Sequence, residues 1–575
     1  MSIAPAETPP CKSTRRHDLD ALRALAMLLG IALHGAMAYM PGLGEAWPVT
    51  DATAHEGYSV FLSAIHGFRM PLFFLLSGFF TAMLWRSRGL GALAQHRAKR
   101  ILLPLVIGTF TIVPAVWIAS IISASISQTS AKPELDPNAQ LWIPAATNDV
   151  QSVEQVLRAN PSIDLNRRDP SSGFTPLVVA ACHDAEKVAE VLLDKGAELD
   201  ARTNDQSTAA HLAFLFGQDN VTKVLIEQGT DLSTRNQFGA TPADNLSADM
   251  TLTRGIAGHL QVRKTNEEIL AGRERIRSLL ENADVTSGSR QDVDASVNWD
   301  LLFGILLVLS LFPVFHHLWF LYFLCWLVIG FAIYAGAMSK LGWKSLPAWM
   351  VLSPVRYIWL FLLTLPFQYW MGLIYPSFGP DTSTGILPLP HLLAYYAVFF
   401  FFGVWYYDAD DGDGRVGKYW WIMIPVALLV IFPIGYELAL GVAIHGSISI
   451  QSLIPEWQQR PAALAFQILY VWMMSFGMMG LARRVFASEN AWLRYLSDSS
   501  YWLYVAHLPL VMIIQGCLAP APLPSFVKFA LVLAITSALL LLSYEYCVRY
   551  TLIGTLLNGK KTRSREQPDL ATASQ

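Results

Sequence analysis

An arginine and a histidine interrupt the apolar stretch RHDLDALRALAMLLGIALHGAMAYM, which spans residues 16–40. Arg23 and His34 are eleven residues apart, so on an α-helix they share one face, about 20° apart and separated by roughly 16 Å along the axis. Asp20 can pair with Arg23 one turn away, and Gly30 leaves room on the same face for a ligand or a neighbouring helix. An imidazole can act as a general base near neutral pH. Ionisable groups at this depth are costly unless they face a polar cavity, which makes a functional role the first hypothesis. The alternative is a histidine bonded to a neighbouring helix and an arginine that snorkels to the interface.

Further ionisable residues interrupt the later apolar segments. They are His66, Arg69, His317 and His507. One such histidine would usually be structural, but several of them together with two arginines predict a polar pocket inside the bundle.

A basic stretch, RSRGLGALAQHRAKRILLP at residues 86–104, lies between two apolar segments. It places Arg97 and Arg100 one helical turn apart. Such a pair can clasp phosphate groups. The alternative is the ordinary excess of positive charge at the cytoplasmic end of a span.

The composition is that of a membrane protein. Of 575 residues, 53% are hydrophobic and 15% are charged, and the mean hydropathy is +0.38, which is typical of a polytopic membrane protein. The net charge of −3 gives no basic surface for nucleic acid. Five scattered cysteines form no C-x-x-C pair or zinc spacing, so neither a disulfide framework nor a metal site is predicted. A secretory signal cleaved near Ala38 is the alternative for the N-terminus, but the apolar run continues to Met40.

We predict an all-α bundle of ten membrane spans, because a bilayer core needs about 20 apolar residues per helix. The predicted spans are 20–40, 58–84, 101–124, 316–337, 353–375, 390–407, 420–443, 462–482, 499–518 and 524–549. With both termini cytoplasmic, nearly all lysines and arginines of the short loops fall on the cytoplasmic side, as the positive-inside rule requires. Counting 299–315 as a further span would reverse this pattern, so we expect that stretch to lie in the interface or against the bundle.

A polar segment, residues 126–297, separates the third span from the fourth. Residues recur in it at intervals of 33, namely Thr175, Thr208 and Thr241, and also Gly196 and Gly229. This period predicts ankyrin repeats, with a threonine capping the first helix of each repeat and a glycine ending the second in a left-handed conformation. We expect a module that binds a partner or acts as a spacer. The charged stretch 250–297 should be a helical cap or a link to the membrane.

Five motifs occur in order in the apolar part of the chain. LDALRALAMLLGIALH has an R-x10-H pattern, and FRMPLFFLLSGFF, RAKR, HLWFLYFL and SYWLYVAHLPL follow. Together they resemble the membrane acyltransferase 3 family, closest to the branch that contains glucan biosynthesis protein C. The resemblance covers nearly all of the chain outside 126–297. Two departures limit it: other branches carry HLWSLSVE at the HLWFLYFL position, so no role for that carboxylate transfers, and typical members have no ankyrin insert.

The resemblance implies transfer of an acyl group from cytoplasmic acyl-CoA to a carbohydrate hydroxyl on the outer side. The key arginine and histidine of the family correspond to Arg23 and His34, and its basic pair corresponds to Arg97 and Arg100, which would hold the CoA phosphates. His34 would act as general base or be transiently acylated, and Arg69 would stabilise the oxyanion. The residues that would complete the pocket or position the acceptor are His66, His317 and His507. No bound cofactor and no metal are expected, since acyl-CoA is a co-substrate.

The predicted organisation has four parts. They are 1–125 with three spans, 140–290 with the ankyrin repeats and a helical tail, 298–555 with seven spans, and 556–575 as a cytoplasmic tail. We expect a multi-pass protein of the inner (plasma) membrane whose insert lies outside the cytoplasm. The expected partners are the lipid bilayer, a glycan or glucan acceptor and a protein that binds the ankyrin repeats, but not nucleic acid. Two alternatives to an acyltransferase are a transporter or flippase of lipid-linked saccharides, and a membrane-anchored receptor that uses the ankyrin module.

Overall fold

The chain divides into two compact units, one formed by residues 131–309 and the other by residues 1–130 and 310–575. We call them the repeat unit and the membrane unit. The computed structural model describes residues 16–41, 43, 47–128, 141–161, 163–169, 172–260, 262–282, 314–372, 377–442, 449–488, 490–559 and 561. Within these ranges every regular element is a helix. The apolar stretch 299–315 lies outside the described residues except for its last two positions.

Three helices open the membrane unit. They are α1 (His17–Ala36), α2 (Glu56–Arg97) and α3 (Leu103–Gln128). The path of α2 breaks at Gly89, whose φ of 79° is a left-handed conformation that glycine adopts without steric cost. A π-helical turn, Ala98–Leu102, then leads into α3. The break and the turn fold the basic segment back, so that Arg97 hydrogen-bonds to Thr81 of α2.

Short paired helices form the repeat unit. They are α4 (Trp142–Thr147), α5 (Val150–Ala159), α6 (Pro176–Cys182), α7 (Glu186–Asp194), α8 (Ala209–Leu215), α9 (Asp219–Glu227), α10 (Met250–His259) and α11 (Asn266–Asn282). Thr175 caps α6 by accepting from the Val178 amide at 3.4 Å, and Thr208 caps α8. Gly196 and Gly229 have φ of 95° and 81°, so the predicted left-handed helix ends are confirmed.

The last described helix of the repeat unit, α11, packs against α8 and α9. Its Ile269 is fully buried. Arg273 is 2% exposed and donates to the carbonyl oxygens of Leu215 and Ala248 and to the hydroxyl of Thr253. The described part of the charged stretch, up to residue 282, thus packs on the repeats as a cap would, while residues 283–297 lie outside the described residues.

In its described residues, the membrane unit has ten more α-helices after the repeat unit. They are α12 (Trp319–Leu341), α13 (Ala348–Leu352), α14 (Arg356–Tyr369), α15 (Pro390–Asp408), α16 (Trp420–Val426), α17 (Phe432–Leu440), α18 (Glu456–Val485), α19 (Ala491–Leu518), α20 (Ser525–Ser543) and α21 (Leu552–Asn558). The main contacts of α1 are with α19, and those of α2 are with α15. A methyl group on Gly78 would overlap the carbonyl oxygen of Phe400, and one on Gly403 that of Leu75. The glycines thus allow α2 and α15 to approach closely.

Seven stretches of the described chain are long and apolar enough to cross a membrane, so the protein is a multi-pass membrane protein. They are His17–Tyr39, Glu56–Ser127, His316–Leu341, Trp420–Leu440, Trp457–Val485, Ala491–Leu518 and Ser525–Val548. The second of them contains two predicted spans, 58–84 and 101–124. The predicted spans 353–375 and 390–407 are not among the seven. The helix at the first position, α14, has only 14 residues, and α15 contains four tyrosines and one tryptophan, which lower its hydropathy. The count of ten spans stays a prediction.

Candidate active site

A cavity of about 590 Å³ lies in the membrane unit, between α1, α2, α3, α19 and the turn that precedes α12. Its polar lining includes His34, His66, Arg69, His316, His317 and His507, and its aromatic lining includes Trp47, Trp117, Trp319 and Tyr504. We call it the histidine cavity. The structure thus brings together five of the site residues proposed from the sequence, although they come from four separate segments of the chain.

Two histidines from different helices meet at the centre of this lining. Nδ1 of His34 on α1 lies 2.9 Å from Nε2 of His507 on α19, and the ring centroids are 5.0 Å apart. Nδ1 of His507 lies 2.7 Å from the carbonyl oxygen of Tyr504, one turn earlier on α19. His507 is only 2% exposed, whereas His34 is half-buried and borders the cavity.

A tryptophan and a glutamine fix the position of His34. The indole of Trp47 stacks on the imidazole with 6.2 Å between centroids and 9° between planes, and its Nε1 donates to Oε1 of Gln515 at 2.9 Å. Nε2 of Gln515 donates to the carbonyl oxygens of His34 and Gly35 at 3.1 and 2.9 Å. The sequence reasoning missed both residues. Gln515 carried a signal, a polar side chain in an apolar span, but Trp47 follows the span in a loop and carried none.

Arg69 of α2 places its guanidinium against Gly30 of α1. A methyl group on Gly30 would overlap Nη1 of Arg69, so the space predicted at this glycine is filled by a neighbouring helix. Nε of Arg69 is buried without a hydrogen-bond partner. The described part of the chain pairs no carboxylate with it. A cation placed in this way is costly unless an anionic group joins it.

Two of the remaining histidines bond to carbonyl oxygens. Nε2 of His66 lies 2.8 Å from the carbonyl oxygen of Pro380, and Nε2 of His317 lies 3.0 Å from that of Val505. Both nitrogens must carry a proton, because a carbonyl oxygen only accepts. Nδ1 of His317 is buried and has no partner in the described structure. The two rings therefore offer hydrogen-bond acceptors rather than donors on their other nitrogens.

Arg23 lies at the opposite end of α1 and does not line the cavity. Its Nη2 is 3.6 Å from the carboxylate of Asp20, which confirms the predicted pairing, and 3.4 Å from the hydroxyl of Ser497. Because Arg23 contacts the start of α19 and His34 contacts its middle, the two helices run parallel. Arg23 and His34 share a helix face but serve different sites.

Arg97 and Arg100 join Arg23 in what we call the arginine cluster, in which Arg23 repels the other two electrostatically. Arg97 donates to the hydroxyl of Thr81 at 2.7 Å, and its Nε is buried without a partner. Arg100 donates to the carbonyl oxygen of Leu557 at 3.2 Å. Among the described residues, neither of these two arginines forms an ion pair with a carboxylate. The cluster can therefore bind an anion through Arg97 and Arg100. Its third member, Arg23, lies roughly 16 Å from His34 along the axis of α1.

The described residues contain no group of three or more His, Cys, Asp or Glu side chains that could hold a metal ion. What the histidine cavity provides is imidazole nitrogens and a guanidinium beside an open space. These groups can move a proton and stabilise a negative charge.

The chain belongs to a family of acyltransferases, because residues 16–143 and 288–544 match the family model described as an acyltransferase domain. Residues 141–236 match ankyrin repeats in three copies. The family resemblance and the ankyrin insert predicted from the sequence are both confirmed.

The chain is also similar to particular curated proteins over a shorter region. Glucans biosynthesis protein C of Escherichia coli strain SMS-3-5 is 35% identical over 96 residues, which are 17% of this chain and 24% of the relative. The protein of that name from Escherichia coli K12 is 34% identical over 96 residues with the same coverage. That from Salmonella paratyphi B is 36% identical over 91 residues, 16% of this chain and 23% of the relative. The chain thus covers about a quarter of the length of these relatives.

Proposed function

We propose that the protein is a membrane O-acyltransferase that moves an acyl group from cytoplasmic acyl-CoA to a carbohydrate hydroxyl on the outer side of the membrane. One observation carries the proposal: His34 borders a cavity beside Arg69, a cation without a carboxylate partner in the described structure. A general base beside an uncompensated cation is the arrangement that acyl transfer needs. The name of the relatives supports a glycan or glucan as acceptor.

The chemical step uses both groups. His34 removes the proton of the acceptor hydroxyl, whose oxygen attacks the thioester carbonyl carbon. Negative charge develops on the carbonyl oxygen, where the guanidinium of Arg69 stabilises it. The carbon–sulfur bond then breaks, the new ester is released, and the protonated His34 returns its proton to the CoA thiolate. In the other version of this step, His34 itself carries the acyl group between donor and acceptor.

The arginine cluster is the proposed site for the CoA phosphates. Guanidinium groups bind phosphate oxygens in pairs, and Arg97 has a buried nitrogen without a partner. From there the pantetheine arm would follow the face of α1 to His34. This arrangement separates donor recognition at one end of α1 from chemistry at the other.

The proposed sidedness places both termini in the cytoplasm and the repeat unit outside it, in a plasma or inner membrane. We expect alkaline phosphatase fused near Gly217 to be active and green fluorescent protein fused there to be dark. The opposite pattern would overturn the proposed topology but would not contradict the proposed acyl transfer step.

The function itself is tested with purified protein, a panel of acyl-CoA donors and a membrane glycan extract. An acyltransferase releases CoA and yields an acylated product whose mass increases by that of the acyl group. A flippase of lipid-linked saccharides, or a receptor that uses the ankyrin repeats, releases no CoA with any donor. Absence of product across the panel, from protein that remains folded in detergent, would overturn the proposal.

A further inference from the structure

The hydrogen bonds around His507 form a chain whose direction can be assigned. It starts at the carbonyl oxygen of Tyr504, which can only accept a hydrogen bond. Nδ1 of His507 lies 2.7 Å from that oxygen and must therefore carry the proton of the ring. A neutral imidazole has a single N–H, so Nε2 of His507 presents a lone pair.

The next link determines the tautomer of His34. Nε2 of His507 is 2.9 Å from Nδ1 of His34, and two lone pairs do not face each other at this distance. Nδ1 of His34 is therefore the donor. A neutral His34 protonated on Nδ1 has an unprotonated Nε2, which is the nitrogen that can act as a base.

The third buried histidine does not compete for this bond. The ring of His317 meets that of His507 almost perpendicularly, at 83° and 5.2 Å between centroids. Its Nε2 donates to the carbonyl oxygen of Val505, and its Nδ1 has no partner in the described structure. Since Nδ1 is then an acceptor, His317 offers no proton to His507.

We propose that His507 is a positioning residue that holds the proton of His34 on Nδ1 and so directs the basic Nε2 towards the acceptor hydroxyl. When Nε2 takes the hydroxyl proton, Nδ1–H of the resulting imidazolium stays bonded to His507, and the proton on Nε2 goes to the departing thiolate. The hydrogen-bond partner of Nδ1 thus determines that Nε2 of His34 is the nitrogen that reacts. This inference rests on the proposed function, because it names the residue that orients its base.

The first arm of the test needs no catalysis. In protein labelled with ¹⁵N-histidine, the His34 signals are identified by their loss in His34→Ala. We expect Nδ1 of His34 to be protonated and Nε2 unprotonated in the unmodified protein, and protonated Nε2 to appear in His507→Leu. A wild-type spectrum with Nε2 of His34 protonated overturns the inference.

The second arm measures transfer. His507→Leu should lower kcat by ~10²-fold, a typical loss for a misdirected general base, while KM for acyl-CoA stays unchanged because the arginine cluster is intact. His507→Gln, whose carboxamide oxygen can accept from Nδ1 of His34, should recover about tenfold of this loss. His391→Leu, on α15 and outside the cavity lining, is the control. Wild-type kcat in His507→Leu overturns the inference, whereas the expected tautomer in a protein that transfers nothing overturns the proposed function alone.

Discussion

One arginine from each unit illustrates a contrast: Arg273 of the repeat unit is buried, whereas Arg69 of the membrane unit is half-buried and borders the histidine cavity. In the repeat unit, each guanidinium nitrogen of Arg273 donates at least one hydrogen bond, to the carbonyl oxygens of Leu215 and Ala248 and the hydroxyl of Thr253. In the membrane unit, Arg69 keeps a buried Nε without a partner and borders an open cavity. A buried cation whose donors are all satisfied stabilises the packing of its neighbours, and one with unused donors is available to a ligand.

The histidines show the same contrast. In the repeat unit, His211 uses both ring nitrogens, one on the Thr208 cap and the other on the carbonyl oxygen of Ala240 at 3.0 Å. Burial in the repeat unit lowers the pKa of His211, because it disfavours the charged ring. In the histidine cavity, Nδ1 of His34 contacts Nε2 of His507, and the residue borders open space. The two histidines thus differ in the surroundings of their ring nitrogens: those of His211 are both used inside the repeat unit, whereas His34 borders the cavity.

The largest expected effect is on the rate of acyl transfer, and it follows from a change at Arg69. Arg69→Ala should lower kcat by about 10²–10³-fold, the usual cost of removing an oxyanion-stabilising donor. Arg88→Ala, an exposed arginine on the same helix, should leave kcat unchanged. The assay is acyl transfer at saturating acyl-CoA. Equal rates for the two variants would contradict the role of Arg69.

A change at Arg273 should affect the stability of the repeat unit and not the rate of acyl transfer. Arg273→Ala leaves the buried carbonyl oxygens of Leu215 and Ala248 without partners, so the free energy of unfolding of the repeat unit should fall by about 3 kcal/mol. Thermal unfolding measures this, with the exposed Arg202→Ala as control. At temperatures where the variant is folded, kcat should equal that of the wild type. A stable Arg273→Ala protein with reduced kcat would contradict the comparison.

A smaller effect on kcat is expected from a change at Gly30, where α1 contacts Arg69 of α2. The methyl group of Gly30→Ala would displace the guanidinium of Arg69, so kcat should fall about tenfold, as small displacements of oriented groups do. The control is Gly330→Ala on α12, where a methyl group meets no atom within 4 Å. If both variants transfer acyl groups at the wild-type rate, acyl transfer does not depend on the position of Arg69 over Gly30.

The smallest effect concerns the separation of the two units. Replacing residues 140–290 by a short flexible linker should change KM for acyl-CoA by no more than about twofold, because a repeat stack contacts mainly its own neighbours. Use of the acceptor, or binding of a protein partner, should suffer instead. Loss of acyl-CoA binding in a deletion protein that remains folded in detergent would show that the module is not independent.

The sequence predicted the features that repeat or that follow from the period of one helix. The interval of 33 residues located the threonine caps and the left-handed glycines, and helix geometry placed Arg23 and His34 on one face. The sequence could not show that Arg23 and His34 belong to separate clusters, because the cluster of each residue depends on which part of α19 it contacts. Partners from distant segments, Trp47 and Gln515, were missed for the same reason. The predicted span 353–375 stays a prediction, because α14 has only 14 residues while apolar sequence extends beyond its end.

The central claim is that His34 is the base of the reaction, and its direct test is acyl transfer by His34→Ala. Alanine favours the helix and removes a polar group from the membrane, so expression and topology should be preserved. Transfer should fall by at least ~10²-fold, with His391→Ala as a control that retains the wild-type rate. A folded His34→Ala protein that transfers acyl groups at a near-normal rate would contradict the account and leave His34 with a structural role only.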